Sequence, residues 1–169
     1  ASSTTVSMTQ ARSLTANFAK ITHLLTVSAV TGGTAVGGGT FDYNASATIT
    51  ATPAAGYSFA SWTGSGVADA NATTTTASMT QDRNVSASFT INKHLLTLTA
   101  GTGGTVTGAG TFDYNTTASI TATPATGYSF SGWTGAGVAS TNSATTTVSL
   151  TQDRNVSASF TINSYALTL

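Results

Sequence analysis

Apolar and hydroxyl-bearing residues alternate along most of this chain, and this two-residue period is typical of β-strands. Residues 85–91 read Val-Ser-Ala-Ser-Phe-Thr-Ile, and 47–52 read Ala-Thr-Ile-Thr-Ala-Thr. No apolar stripe with the 3.6-residue spacing of a helix interrupts the alternation. Stretches rich in Gly, Asp and Asn separate the alternating segments and read as turns. The pattern predicts strands over 23–30, 39–44, 46–52, 57–63, 73–79 and 84–92.

The pattern recurs with a period of 71 residues, since 94–164 repeats 23–93. Both segments open with His-Leu-Leu-Thr and close with Arg-Asn-Val-Ser-Ala-Ser-Phe-Thr-Ile-Asn. Within the leading segment 1–22, residues 4–18 match the end of such a repeat, and 165–169 match its opening strand. We therefore divide the chain into the C-terminal part of a preceding repeat, two complete repeats and the opening strand of a following one. We expect the array to be part of a longer tandem.

The predicted fold is all-β, with tandem small modules of antiparallel or mixed sheet, about 71 residues each, and little or no helix. Trp62 is one residue out of phase with Tyr57 and Phe59, which predicts a β-bulge near Ala60 and Ser61. The apolar phase of the strands predicts a core in each repeat. In the first repeat this core comprises Leu25, Val27, Phe41, Tyr43, Ile49, Tyr57, Phe59, Trp62, Val67, Met79, Val85, Phe89 and Ile91.

The composition excludes several classes of function. Thr (38) and Ser (21) make up over a third of the 169 residues, only 6% are charged, and the net charge is zero. A nucleic-acid-binding surface needs clustered Lys and Arg, whereas the five cations here are scattered. No apolar run reaches the roughly 18 residues of a membrane span, so we expect no membrane insertion. The absence of Cys rules out disulfides and thiolate metal sites.

The histidines and aspartates show no pattern of a catalytic or metal site. His23 and His94 are equivalent, but Tyr165 takes the third such position, an exchange that a metal ligand or general base would not accept. Neither histidine has an aspartate at a recognisable spacing, and no Gly-x-Ser-x-Gly motif occurs, so we expect no enzyme activity.

Four of the five aspartates lie in two short motifs that recur in both repeats. Asp42 and Asp113 lie in Phe-Asp-Tyr-Asn, and Asp82 and Asp153 lie in Thr-Gln-Asp-Arg-Asn. A calcium loop needs closely spaced oxygen ligands such as Asp-x-Asp-x-Asp-Gly, and no such run exists. Turn chemistry explains these residues better. We expect no cofactor, and calcium between repeats is the one alternative left open.

The recurring aromatic residues allow two interpretations. Tyr57, Trp62, Tyr128 and Trp133 would form a carbohydrate-binding platform if their rings were exposed on one face. The alternation instead favours core packing for them. Exposure or burial of the two tryptophans distinguishes these interpretations.

Residues 121–137 (Thr-Ala-Thr-Pro-Ala-Thr-Gly-Tyr-Ser-Phe-Ser-Gly-Trp-Thr-Gly-Ala-Gly) followed by 145–160 resemble the divergent form of the internalin B-repeat family. The shared pattern is Ala-x-Pro-x-x-Gly-Tyr-x-Phe-x-x-Trp and a closing Val-x-Ala-x-Phe strand, and both repeats carry it. Residues 11–18 depart from the closing pattern. The resemblance implies a small β-rich module related to the β-grasp, used in tandem in bacterial extracellular and cell-surface proteins, with no catalytic residues to transfer.

The repeat pattern, together with what the resemblance implies, favours a structural tandem-repeat segment of a bacterial extracellular or cell-surface protein, which serves as a stalk, a spacer or a fibre-forming element. The expected partners are adjacent repeats or copies of the same chain, and not nucleic acid or membrane. The alternative is an adhesin module that binds a carbohydrate or a host receptor through Tyr and Trp. We expect strand sharing at the incomplete ends. The strand positions concerned are Val6, Met8, Leu14, Phe18, Tyr165, Leu167 and Leu169.

Overall fold

Each complete repeat folds into seven β-strands in the same order. The structure is a computed structural model that describes residues 5–11 and 13–167. The strands of the first repeat are β1 (Thr22–Ala29), β2 (Gly33–Val36), β3 (Gly39–Asp42), β4 (Ala45–Pro53), β5 (Tyr57–Thr63), β6 (Thr74–Met79) and β7 (Arg83–Ile91). Those of the second are β8 (Lys93–Ala100), β9 (Gly104–Thr107), β10 (Gly110–Asp113), β11 (Thr116–Pro124), β12 (Tyr128–Thr134), β13 (Thr145–Leu150) and β14 (Arg154–Ile162). Within 5–11 and 13–167, no helix is long and apolar enough to cross a membrane.

The strands of each repeat form a four-stranded and a three-stranded sheet. The orders are β3-β1-β7-β5 and β2-β4-β6 in the first repeat, and β10-β8-β14-β12 and β13-β11-β9 in the second. The first and last strands of a repeat pair in parallel, with Val27 opposite Val85, whereas all other pairs are antiparallel. The prediction of an all-β module with mixed sheet is therefore confirmed.

The two sheets of a repeat enclose one core. Large side chains are interleaved with alanines, and these small residues let the sheets approach closely. The buried residues of the first repeat are Leu25, Ala47, Ile49, Ala51, Trp62, Ala77, Met79, Val85 and Ala87. The second repeat buries an equivalent set. The hydroxyl-bearing residues that alternate with them mostly face solvent, as an outer sheet face allows.

The predicted bulge is present in both repeats. The register of β5 against β7 shifts between Phe59 and Ser61, so that Ala60 has no partner, and β12 shifts in the same way against β14. This extra residue explains how Phe59 and Trp62 both reach the core.

Two predictions about the repeat were wrong. The short strand β2 was expected to be part of a turn, because glycines flank it on both sides, yet it pairs with β4 from Gly33 to Val36. Tyr43 was expected in the core, but 55% of it is exposed. Its position after β3 places it at the end of the sandwich rather than between the sheets.

The two ends of the chain lie outside the sandwiches. Residues 5–11, 13–21 and 163–167 form no strand, and Met8, Leu14 and Phe18 are exposed, Phe18 to 94%. Val6 is half-buried, Tyr165 and Leu167 are exposed, and Leu169 lies outside the described residues. Strand sharing by these segments therefore stays a prediction.

Candidate functional site at the junction between repeats

A single residue, Asn92, separates the last strand of the first repeat from the first strand of the second. Its backbone N–H donates to the Gly56 carbonyl (2.8 Å), and its carbonyl accepts from the Tyr114 N–H (2.8 Å). Its side-chain Oδ1 accepts from the Ser58 hydroxyl (2.7 Å). Gly56 and Ser58 belong to the first repeat and Tyr114 to the second, so Asn92 is hydrogen-bonded to both sandwiches.

The ring of Tyr114 lies against Gly56, in the turn that precedes β5. Gly56 has φ of +80°, and a Cβ built on it would overlap three ring atoms of Tyr114. Glycine is required at this position for two reasons: the backbone has a positive φ, and a side chain would overlap the Tyr114 ring. Tyr114 is half-buried as a result, while the equivalent Tyr43 is exposed.

The Tyr114 ring also contacts His94, with ring centroids 6.0 Å apart. His94 Nδ1 lies 3.2 Å from Asp153 Oδ1, and the same carboxylate accepts from the Leu95 N–H (3.0 Å). The hydrogen bond from the Leu95 N–H is the main cause of a lowered pKa at Asp153, and the hydrogen bond with His94 is the second cause. The contact sequence Gly56, Tyr114, His94, Asp153 thus runs from one repeat into the closing turn of the next.

The divergent InlB B-repeat domain family matches this chain twice, over 23–93 and 94–164. The chain belongs to that family. The boundary between its two B-repeats falls between residues 93 and 94, within two residues of Asn92, the residue that links the two sandwiches. The predicted family and its 71-residue unit are confirmed. Comparisons with curated proteins and with solved structures returned no match.

Each B-repeat contains a His–Asp contact that the sequence pattern did not predict. His23 Nδ1 lies 3.3 Å from Asp82 Oδ1, and Asp82 also accepts from the Leu24 N–H, which lowers its pKa. The sequence does contain one indication of this contact, because the histidine and the aspartate are 59 residues apart in both repeats. The pair ties the turn before β7 to the start of β1, so its evident role is to hold those two segments together.

Asp42 and Asp113, at the ends of β3 and β10, each face a lysine. Lys93 Nζ lies 2.5 Å from Asp113 Oδ1, and Lys20 Nζ lies 2.6 Å from Asp42 Oδ2. These pairs are largely exposed, so each contributes little stability. Within 5–11 and 13–167, no three or more His, Cys, Asp or Glu residues are grouped as a metal site would need.

The predicted binding aromatics of the B-repeats do not form an exposed platform. Trp62 and Trp133 are only 3% and 2% exposed. Their Nε1–H groups donate to the carbonyls of Ala72 and Ser143, each at 3.0 Å. The remaining two, Tyr57 and Tyr128, are half-buried on β5 and β12. This arrangement favours core packing, because neither indole face is free to stack on a sugar.

Proposed function

We propose that the two B-repeats form a stiff spacer or stalk in a bacterial extracellular or cell-surface protein. The observation that carries the proposal is Asn92, which is the single residue between β7 and β8 and is hydrogen-bonded to both repeats. A flexible connection would need several residues free of such bonds. The proposal assigns no catalytic role, in keeping with a family of non-catalytic repeat modules.

The surface chemistry supports the same role. Polarity comes mainly from hydroxyl groups, only 6% of residues are charged, and the net charge is zero. Little electrostatic repulsion therefore opposes close placement of successive units. An extracellular location accords with a family typical of bacterial surface proteins.

The stiffness of the junction can be measured as a distance distribution between the repeats. The chain has no Cys, so Thr48→Cys and Ser119→Cys introduce two specific spin-label sites. Both positions are exposed on regular strands, and they are equivalent in the two repeats. Pulsed electron-spin measurements should give one narrow distribution.

A matched variant separates stiffness from the labels' own motion. Insertion of Gly-Ser-Gly-Ser after Asn92 keeps every residue of both sandwiches but lengthens the one-residue connection between β7 and β8. This insertion should broaden the distribution markedly. A distribution as broad without the insertion as with it would show that the junction is already flexible, and the spacer proposal would then be wrong.

A fibre-forming role is a second proposal, supported by the N-terminal segment. The N-terminal segment corresponds in sequence to β6 and β7, yet its described residues, 5–11 and 13–21, form no strand, and Leu14 and Phe18 are exposed. Unpaired strand sequences with exposed apolar residues recruit other strands. Sedimentation velocity should show self-association at high concentration that Leu14→Ser with Phe18→Ser abolishes, while Thr15→Ser has no effect. A chain that stays monomeric throughout would contradict strand sharing.

A further inference from the structure

The second repeat carries an uncovered copy of the surface that the first repeat buries at the junction. Gly56 and Ile91 are half-buried there, whereas the equivalent Gly127 is exposed and Ile162 is 71% exposed. A Cβ built on Gly56 would overlap Tyr114, but one built on Gly127 would have no atom within 4 Å. The backbone is the same in both turns, with φ of +80° and +82°. Only the covering tyrosine differs.

The strand leaving this surface is held as it is at the occupied junction. The Asn163 N–H donates to the Gly127 carbonyl (2.7 Å), and Asn163 Oδ1 accepts from the Ser129 hydroxyl (2.6 Å). Asn92 makes the corresponding bonds to the first repeat. Asn163 is therefore held against the second repeat by the same two hydrogen bonds that hold Asn92 against the first.

The first repeat carries the counterpart of the covering tyrosine, Tyr43, at the end of the protein away from Gly127. Tyr43 is 55% exposed, and its N–H donates to the Ile21 carbonyl (2.9 Å) as the Tyr114 N–H does to Asn92. Ile21 thus already fills the strand position that a preceding repeat would supply. If a separate copy of the chain docked by this end, its own Ile21 would first have to leave the position beside Tyr43. In a repeat that continues directly from Asn163, Asn163 itself takes that position, as Asn92 does beside Tyr114.

We propose that the surface around Gly127 and Ile162 is a docking site for a further copy of this repeat joined through residue 164. The tyrosine of that copy's Phe-Asp-Tyr-Asn turn sits on Gly127, as Tyr114 sits on Gly56. The inference rests on the proposed spacer role and specifies how the next unit is oriented. Because this contact joins unlike ends, each added unit presents a further copy of the Gly127 surface to the unit that follows it.

The test uses the signals of glycine α-protons, which shift upfield when an aromatic ring lies over them. In the present chain, the Gly56 α-protons should be shifted upfield of those of Gly127. The chain is then extended after residue 164 by another copy of 94–164. In the extended chain, the Gly127 signals should move to the positions of the Gly56 signals. Replacement of the added copy's tyrosine that corresponds to Tyr114 by Ala should reverse this shift.

Two results would overturn the proposal. Gly127 signals that stay unchanged in the extended chain would show that no tyrosine occupies the site. Gly127 signals that shift in the present chain as its concentration rises would show that a second chain is the occupant. Either result is distinguishable from failure of the spacer role, because the spin-label distances report the stiffness of the existing junction independently.

Discussion

The ring of Tyr114 in the second repeat covers the backbone of Gly56 in the first, although neither residue differs from its counterpart in the other repeat. Tyr43 and Gly127, the counterparts, have no such contact. The chain therefore contains one tyrosine and one glycine that are in contact, and a second tyrosine and a second glycine, at the equivalent positions, that are not. This gives every substitution at the junction a control in the same molecule.

Tyr114→Ala should destabilise the protein more than Tyr43→Ala. Both rings lie against a histidine at nearly the same centroid distance, 6.0 and 5.9 Å, so that contact cancels in the comparison. Only Tyr114 loses packing on Gly56, and we expect a cost of about 1–2 kcal/mol for it against about 0.5 kcal/mol for Tyr43. Urea unfolding of the full chain measures the difference. Equal losses would mean that the junction contact contributes nothing to stability.

Gly56→Ala and Gly127→Ala separate backbone strain from the loss of the contact. Both glycines have the same left-handed conformation, so each substitution should cost about 1–2 kcal/mol through the backbone alone. At Gly56 the new methyl also displaces the Tyr114 ring, which should add about 1–3 kcal/mol. The comparison of unfolding midpoints gives the extra cost directly. A Gly127 variant that is as unstable as the Gly56 variant would contradict the contact.

The local alternation carried enough information to predict most strands and the bulge. Side chains alternate between the two faces of a strand, so the order of neighbouring residues such as Phe59, Ser61 and Trp62 indicates which of them face the core. The strand from Gly33 to Val36 was missed because its pairing is decided by β4, not by its own glycine-rich sequence.

The candidate site could not be predicted, since its contacts link distant residues. Tyr43 and Tyr114 lie in identical tetrapeptides, yet only the second is covered, because its cover comes from another repeat. The contact of His23 with Asp82 likewise joins residues 59 positions apart. A period of 71 residues establishes that a unit recurs, but it does not show which faces of successive units meet.

Stability should fall in acid because of Asp82 and Asp153. Their pKa values are lowered chiefly by the N–H groups of Leu24 and Leu95, and next by the histidines. A carboxylate with a lower pKa in the folded state binds more protons when unfolded, so its stabilising effect is full above about pH 4 and disappears as the pH falls through the folded pKa. Urea midpoints measured from pH 6 to 2.5 should follow this decrease.

The variant with both Asp82→Asn and Asp153→Asn is the control for this pH dependence. It removes the two carboxylates but keeps an oxygen that can accept the leucine N–H bonds. Its midpoint should change less with pH over the same range. If the original chain and the double variant lose stability in parallel, other groups govern the acid response.

Deletion of Ala60 should leave Trp62 buried, because Ala60 is the one residue of the bulge without a partner. The pairs on either side, Phe59 with Phe89 and Ser61 with Ser88, remain available, and the deletion merely restores a regular ladder. Deletion of Ser88 is the matched control, since it removes a paired residue and turns one side of β7 over. In a Trp133→Phe background, the emission of Trp62 should stay blue-shifted and shielded from iodide after the first deletion but not after the second. An exposed Trp62 after loss of Ala60 would show that the bulge itself positions the indole.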